Sequence, residues 1–225
     1  MNELPDWEQV LSAACRLQRI VPEAVLVGGT GAAVHARHRK SHDADHVVGD
    51  LRQRFDEVLA NLESVAGWKT SRIQRPVQIL GSLDGIETGI RQLIRAAPLE
   101  IERIQTAAGA ITLPTPAEML RIKGWLVLTR NATRDYVDFA ALADKLGVAA
   151  SVRALVEMDA LYPQSNDESA IQQLLKQLAE PRPYDLSATE LSEYRELKQR
   201  WHDWNAVSRQ CQWVGVALMD EVSTR

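Results

Sequence analysis

The chain has 225 residues, 45% of them hydrophobic and 25% charged, with a formal net charge of −4. That balance is ordinary for a globular protein, leaves room for one large domain or two small ones, and argues against a nonspecific nucleic-acid binder. No apolar run approaches the ~18 residues of a membrane span, and the polar opening Met1-Asn2-Glu3-Leu4-Pro5-Asp6 has no leader pattern, so no membrane partner is expected. Cys15 and Cys211, far apart and without metal-ligand spacing, read as buried thiols of a reducing, cytoplasmic compartment.

In chain order, residues 7–20 have the spacing of an amphipathic helix that ends before Pro22. A buried strand is expected at 24–28, a small-residue helix at about 30–38, and a second strand at about 42–48. Asp50 is placed to cap a helix over 51–65, in which Leu51, Phe55, Val58, Leu59 and Leu62 recur at helical spacing, and Gly67 stops it. Trp68–Gln74 and Val77–Leu80 read as antiparallel strands. Gly81–Gly85 is turn chemistry, and Glu87–Ile94 fits strand or helix. Residues 98–105 and 111–113 form a last hairpin, and Pro114-Thr115-Pro116 marks a boundary. Beyond it the pattern is helical, interrupted at Gly147, 162–167 and 181–185, with Ser187–Glu190 reading as a capping box that opens a further helix. The expected fold is therefore α+β, with an α/β lobe at 1–114 and an all-α lobe at 115–225.

Chemistry concentrates in two stretches of the first lobe. Val25-Leu26-Val27 runs into Gly28-Gly29-Thr30, where glycine lets backbone N–H groups approach an anion at a helix N-terminus. The same glycines also suit a plain strand-to-helix turn. Asp43 and Asp45 follow at i and i+2, so an extended strand presents both on one face. Two adjacent carboxylates call for a cation, and an oxygen-only pair beside a phosphate cradle suits Mg²⁺ carrying a nucleoside triphosphate. A phosphatase that uses the first acid of Asp-x-Asp as nucleophile would need an apolar strand before Asp43, and Arg39-Lys40-Ser41-His42 is polar. Arg39 belongs to a basic cluster flanking the glycine loop, and is a candidate phosphate contact.

Gly-Gly-Thr, a short helix and Asp-x-Asp on a strand resemble the nucleotidyltransferase superfamily related to DNA polymerase β. Glu118-Met119-Leu120-Arg121-Ile122-Lys123 followed by Arg134-Asp135-Tyr136-Val137-Asp138 resembles the AbiEii/AbiGii toxin family within it. The resemblance spans about the first two-thirds of the chain. It implies transfer of a nucleoside monophosphate to an acceptor hydroxyl, with transfer RNA as an acceptor in related toxins and a cognate antitoxin as partner. It also implies that Lys123 reaches triphosphate oxygens. Arg130, seven residues on, shares its helical face and is a further candidate nucleotide contact. A third carboxylate is expected on a neighbouring strand. Val77–Leu80 carries none, and Asp84, just past its end, is the first choice, ahead of Glu87, Glu100 and Glu102. Two alternatives stand beside this reading: a non-catalytic nucleotide- or partner-binding module that has lost the third acid, and a small-molecule nucleotidyltransferase.

Overall fold

A computed structural model describes residues 6–95, 97–165 and 168–224. The fold is α+β, and the chain divides into two compact units. The first comprises the residues up to Gly31 together with Lys40–Thr115, and the second comprises Ala32–Arg39 and the residues from Pro116 onward. The division at Thr115 falls in the Pro-Thr-Pro segment. The other falls inside a helix, so residues 32–39 group with the helical part of the chain instead of the α/β part in which the sequence reading placed them.

In the first unit, α1 (Trp7–Ile20) is opened by Asp6, whose side chain and that of Gln9 form a reciprocal capping box. The unit has a five-stranded sheet in the order β1-β2-β5-β4-β3. Its strands are β1 (Val25–Leu26), β2 (Ala44–Val48), β3 (Trp68–Gln74), β4 (Gln78–Leu83) and β5 (Ile86–Gln92). β2 pairs in parallel with β5, and the remaining pairings are antiparallel. The parallel pairing requires a crossover, which carries α3 (Leu51–Glu63). Phe55, Val58 and Leu62 of α3, Leu17 of α1 and Val21 just after it bury the sheet face formed by Val48, Ile79, Leu83 and Ile90. A separate hairpin, β6 (Ile101–Thr106) and β7 (Gly109–Pro114), is tied to α1 by Gln18. The Gln18 amide donates to the carbonyl of Thr112 at 2.7 Å and accepts from its N–H at 2.8 Å.

α2 (Gly28–Ala36) starts in the first unit and ends in the second, where Ala32 and Ala36 join an apolar core with Met119, Leu120 and Tyr136. That core is built by α4 (Pro116–Arg130), α5 (Thr133–Leu146), α6 (Val148–Leu155), α7 (Met158–Leu161), α8 (Ala170–Ala179) and α9 (Trp204–Ser223). The capping box expected at Ser187–Glu190 opens no α-helix. Leu186–Ala188 is one 3₁₀ turn, Leu191–Glu193 another and Gln199–His202 a third, and α9 begins only after Asp203, whose side chain accepts from the N–H of Asn205. Asp50 precedes α3 as expected, but its side chain makes no capping bond and pairs with Arg54 instead.

Candidate functional site

Gly28 leaves β1 with φ +69°, a conformation that favours glycine. The N–H of Val27 bonds to the carbonyl of Asp45 at 2.8 Å, and the N–H of Gly31 closes the first turn onto the carbonyl of Val27 at 3.1 Å. The N–H groups of Gly28, Gly29 and Thr30 therefore precede the helical ladder, as the first amides of any helix do. A Cβ at Gly28 would lie 3.3 Å from both Cβ and Oδ2 of Asp45, so the glycine admits that carboxylate to the helix N-terminus.

Along β2, Ala44, His46 and Val48 are buried while Asp45 and Val47 are half-exposed, and Asp43, one residue before the strand, continues the second set. Both acids thus share the face opposite α1 and α3, about 6.6 Å apart along the strand. Ser41 donates to Oδ1 of Asp43 at 2.6 Å. Thr30, fully buried, spends its hydroxyl proton on the backbone carbonyl of Asp43. Its side chain thereby joins the glycine loop to the start of the carboxylate strand.

The third acid needs correcting. The strand beside β2 is β5, not β4, with Asp45 opposite Gly89 and Ala44 opposite Thr88. One step beyond that ladder the residue beside Asp43 is Glu87, which is exposed and alternates with buried Ile86 and Thr88. Asp84 instead sits in the two-residue turn between β4 and β5, with φ +53° followed by Gly85 at +83°. Its carboxylate pairs with Arg16 of α1, on the helix-covered side of the sheet. Asp84 is a turn residue held by α1, and Glu87 takes the position for which it was chosen.

Lys123 is also corrected. It is 2% exposed, and its ammonium lies 3.0 Å from Oδ1 of Asp135 and 2.7 Å from Oδ2 of Asp138. Asp135 and Asp138, three apart on α5, present both carboxylates to one side. Asp138 also receives Arg39, with Nε at 2.8 Å from Oδ1 and Nη2 at 3.0 Å from Oδ2. Nε2 of His38 lies 2.7 Å from Oδ1, and since a carboxylate only accepts, that nitrogen carries the proton. Arg39 further places its guanidinium carbon 5.8 Å from the ring centre of Tyr194. Burial alone would raise the Asp138 carboxyl, but Arg39, Lys123 and His38 outweigh it and hold it well below the usual carboxylate range. Burial pushes the His38 imidazole down, against the pull of Asp138.

So two of the three cations expected to meet phosphate, Lys123 and Arg39, do come together, but on one buried carboxylate in the helical unit. Arg130 does not join them. As the last residue of α4 it is exposed, beyond the stretch that packs. Charged side chains are seldom buried unless paired, so the lysine and the two acids spaced three apart on the next helix were the available signal. His38 and His46 gave none. His46 is fully buried in β2, and burial pushes its imidazole down to about 4.

Among the described residues no group of three or more His, Cys, Asp or Glu side chains is arranged to hold a metal ion. Asp43 and Asp45 form a two-carboxylate set at a glycine cradle that a Cβ would fill, which fits a small hard cation that takes its remaining ligands from water and phosphate.

No family model matches the chain. It is 28% identical over 239 residues to the heme uptake protein MmpL11 of Mycobacterium tuberculosis, an alignment covering 96% of this chain and 23% of that protein. Over 130 residues it is 32% identical to the mycolic acid-containing lipids exporter MmpL11 of Mycolicibacterium smegmatis, covering 56% of this chain and 13% of that one. The chain thus spans about a quarter or less of the length of the curated relatives it matches. Among solved structures, a candidate nucleotidyltransferase from H. pylori superposes with a TM-score of 0.55 at 13% identity, covering 98% of both chains. The antibiotic-resistance factor ANT(2″)-Ia superposes with a TM-score of 0.52 at 10% identity, over 68% of this chain and 91% of that one. No helix among the described residues is long and apolar enough to cross a membrane. The chain has the fold of the nucleotidyltransferases.

Proposed function

We propose that the chain binds a nucleoside triphosphate at the Gly28–Thr30 loop and transfers its nucleoside monophosphate to an acceptor hydroxyl. The observation that carries this reading is the seat of the Asp45 carboxylate against Gly28, at the N-terminus of α2, with half-buried Asp43 one residue before the same strand. Asp43 and Asp45 would hold Mg²⁺, which when bound offsets phosphate charge. The N–H groups at the start of α2 orient the phosphates. In the transfer, the acceptor oxygen forms a bond to the α-phosphorus, the bond to the bridging oxygen breaks and pyrophosphate leaves. Glu87, beside Asp43, accepts the proton lost by the acceptor. ANT(2″)-Ia, whose fold this chain shares, has been crystallised with adenylyl-2″-tobramycin, a product of this kind of transfer. Transfer RNA as acceptor and a cognate antitoxin rest on the AbiEii/AbiGii resemblance alone.

The test is pyrophosphate release from each of the four ribonucleoside triphosphates with Mg²⁺, in the presence of total RNA or a small-molecule extract, for the wild type and for Asp45→Asn. Release that depends on Asp45 supports the reading. Nucleotide binding without release favours a second one, a nucleotide-responsive binding module without transfer. One observation favours that module: the curated relatives are transporters in which the matching segment is a minor part.

A further inference from the structure

On β2 the alternation that exposes Asp45 also exposes Val47, two residues on, and Val47 stands opposite Val25 of β1. This valine pair lines an open cavity of about 530 Å³ in the first unit, to which Leu93 and Leu99, between β5 and β6, also contribute. The cavity therefore continues from the carboxylate pair along the same strand. Two large apolar side chains at its rim stand in water: Ile94 is 86% exposed and Ile101 52% exposed.

The polar groups that line it are mostly committed. The Gln92 side chain donates to the carbonyls of Gly49 and Leu93 and accepts from the N–H of Arg52. Arg95 donates to the carbonyls of Ala97 and Pro98, and Glu23 pairs with Arg54. The nearby acids Asp50 and Asp56 pair with Arg54 and Arg75. Among the described residues this leaves the Arg52 guanidinium and the Gln53 amide as lining groups with no side-chain partner. An apolar hollow with one uncommitted cation at its wall has a definite preference. It accepts an apolar body bearing one anionic group.

We propose that this cavity seats the second substrate, a small amphiphilic molecule with an apolar body and a single anionic group directed at Arg52. The proposal rests on the nucleotidyl-transfer reading for its role as acceptor site, while the ligand class rests on the cavity alone. The full-length chain is titrated with 8-anilino-1-naphthalenesulfonate and, separately, with its uncharged relative N-phenyl-1-naphthylamine. One saturable site is expected for each. Arg52→Glu weakens the sulfonate at least tenfold and changes the naphthylamine less than twofold. Val47→Trp fills the cavity and removes both, and Ile94→Asp, at a position exposed enough to leave folding intact, weakens both. Mg²⁺–ATP leaves the sulfonate affinity within twofold, because the nucleotide sits at the glycine loop. Multiple weak sites, or a sulfonate affinity unmoved by Arg52→Glu and Ile94→Asp, overturn the ligand class. Competition between ATP and the sulfonate overturns the acceptor role, since the cavity would then hold the nucleoside. A chain that binds the sulfonate as described but no nucleotide at all overturns both the acceptor role and the transfer reading, and leaves the ligand class standing.

Discussion

The Nζ of Lys123 lies 2.7 Å from Oδ2 of Asp138, and neither side chain reaches solvent to any useful extent. A lysine placed this way is part of the interior of the helical unit. Its removal leaves Asp135 without a cation and Asp138 with only Arg39 and a neutral imidazole, and uncompensated buried charge is among the most destabilising changes a fold can undergo.

Lys123→Met is therefore expected to lower stability by about 3–5 kcal/mol, the cost of breaking a buried ion pair by removing one partner. Urea unfolding of the wild type and the variant measures it. A loss below about 1 kcal/mol, the range of an exposed pair, would show that the ammonium escapes to solvent.

The same cluster makes stability depend on pH. The folded pKa of His38 is lowered by burial, so between its ordinary value near 6.5 and its folded value the unfolded chain binds the extra proton and the folded chain does not. Stability is present in full above about 6.5 and declines as pH falls below it. Asp138 has the same sign at lower pH: its folded pKa is depressed, so its contribution is present above the unfolded carboxylate value and is lost as pH falls further. His38→Gln keeps a donor for Asp138 and removes the imidazole. Urea midpoints at pH 7.5 and 5.5 should then differ less in the variant than in the wild type. His46, pushed down to about 4, adds a slope of the same sign that both proteins share. An equal pH dependence in the two would mean that His38 takes up its proton while folded.

What the sequence made legible was local. A strand running into two glycines, and an Asp-x-Asp pair presenting its acids to one side, follow from the freedom of glycine and period-two alternation; the structure has β1 ending just before Gly28, and Asp45 on the half-exposed side of β2 with Asp43 one residue ahead of it. The identity of the strand next to β2 was not local. The parallel β2–β5 pairing spans more than forty residues, with a helix and two strands between, so choosing the next strand in the chain led to Asp84. Lys123 was misread for a related reason, because its partners lie on the following helix and their common side emerges only when α4 and α5 pack. The Ser187–Glu190 pattern shows the converse: a four-residue signature is too short to make a helix when the preceding prolines Pro181 and Pro183 and the lack of an apolar stripe favour 3₁₀ turns.

Glu87 and Asp84 can be separated by paired substitutions. Glu87→Gln should reduce the rate of pyrophosphate release by about 10²–10⁴-fold, the usual worth of a general base, with nucleotide affinity little changed. Asp84→Asn should leave the rate within twofold. Its stability cost should stay within about 1 kcal/mol, because the Arg16 pair is partly exposed and asparagine tolerates positive φ. Equal activity in Glu87→Gln and the wild type removes Glu87 from the mechanism.

Gly28 and Gly85 offer the most direct test of the phosphate loop. Both have positive φ, +69° and +83°, so an alanine at either bears a backbone strain of about 1–2 kcal/mol. Only at Gly28 would the added methyl meet a functional group: it would stand 3.3 Å from Oδ2 of Asp45, whereas nothing lies within 4 Å at Gly85. Both variants should unfold at lower temperature than the wild type by similar amounts. The rise in melting temperature produced by Mg²⁺ with a nucleoside triphosphate should persist in Gly85→Ala, because ligand binding adds to stability independently of a distant turn. In Gly28→Ala it should fall by at least half, since the methyl displaces the Asp45 carboxylate and crowds the amides at the start of α2. If both variants keep the full shift, the triphosphate is not held at the Gly28 end of α2.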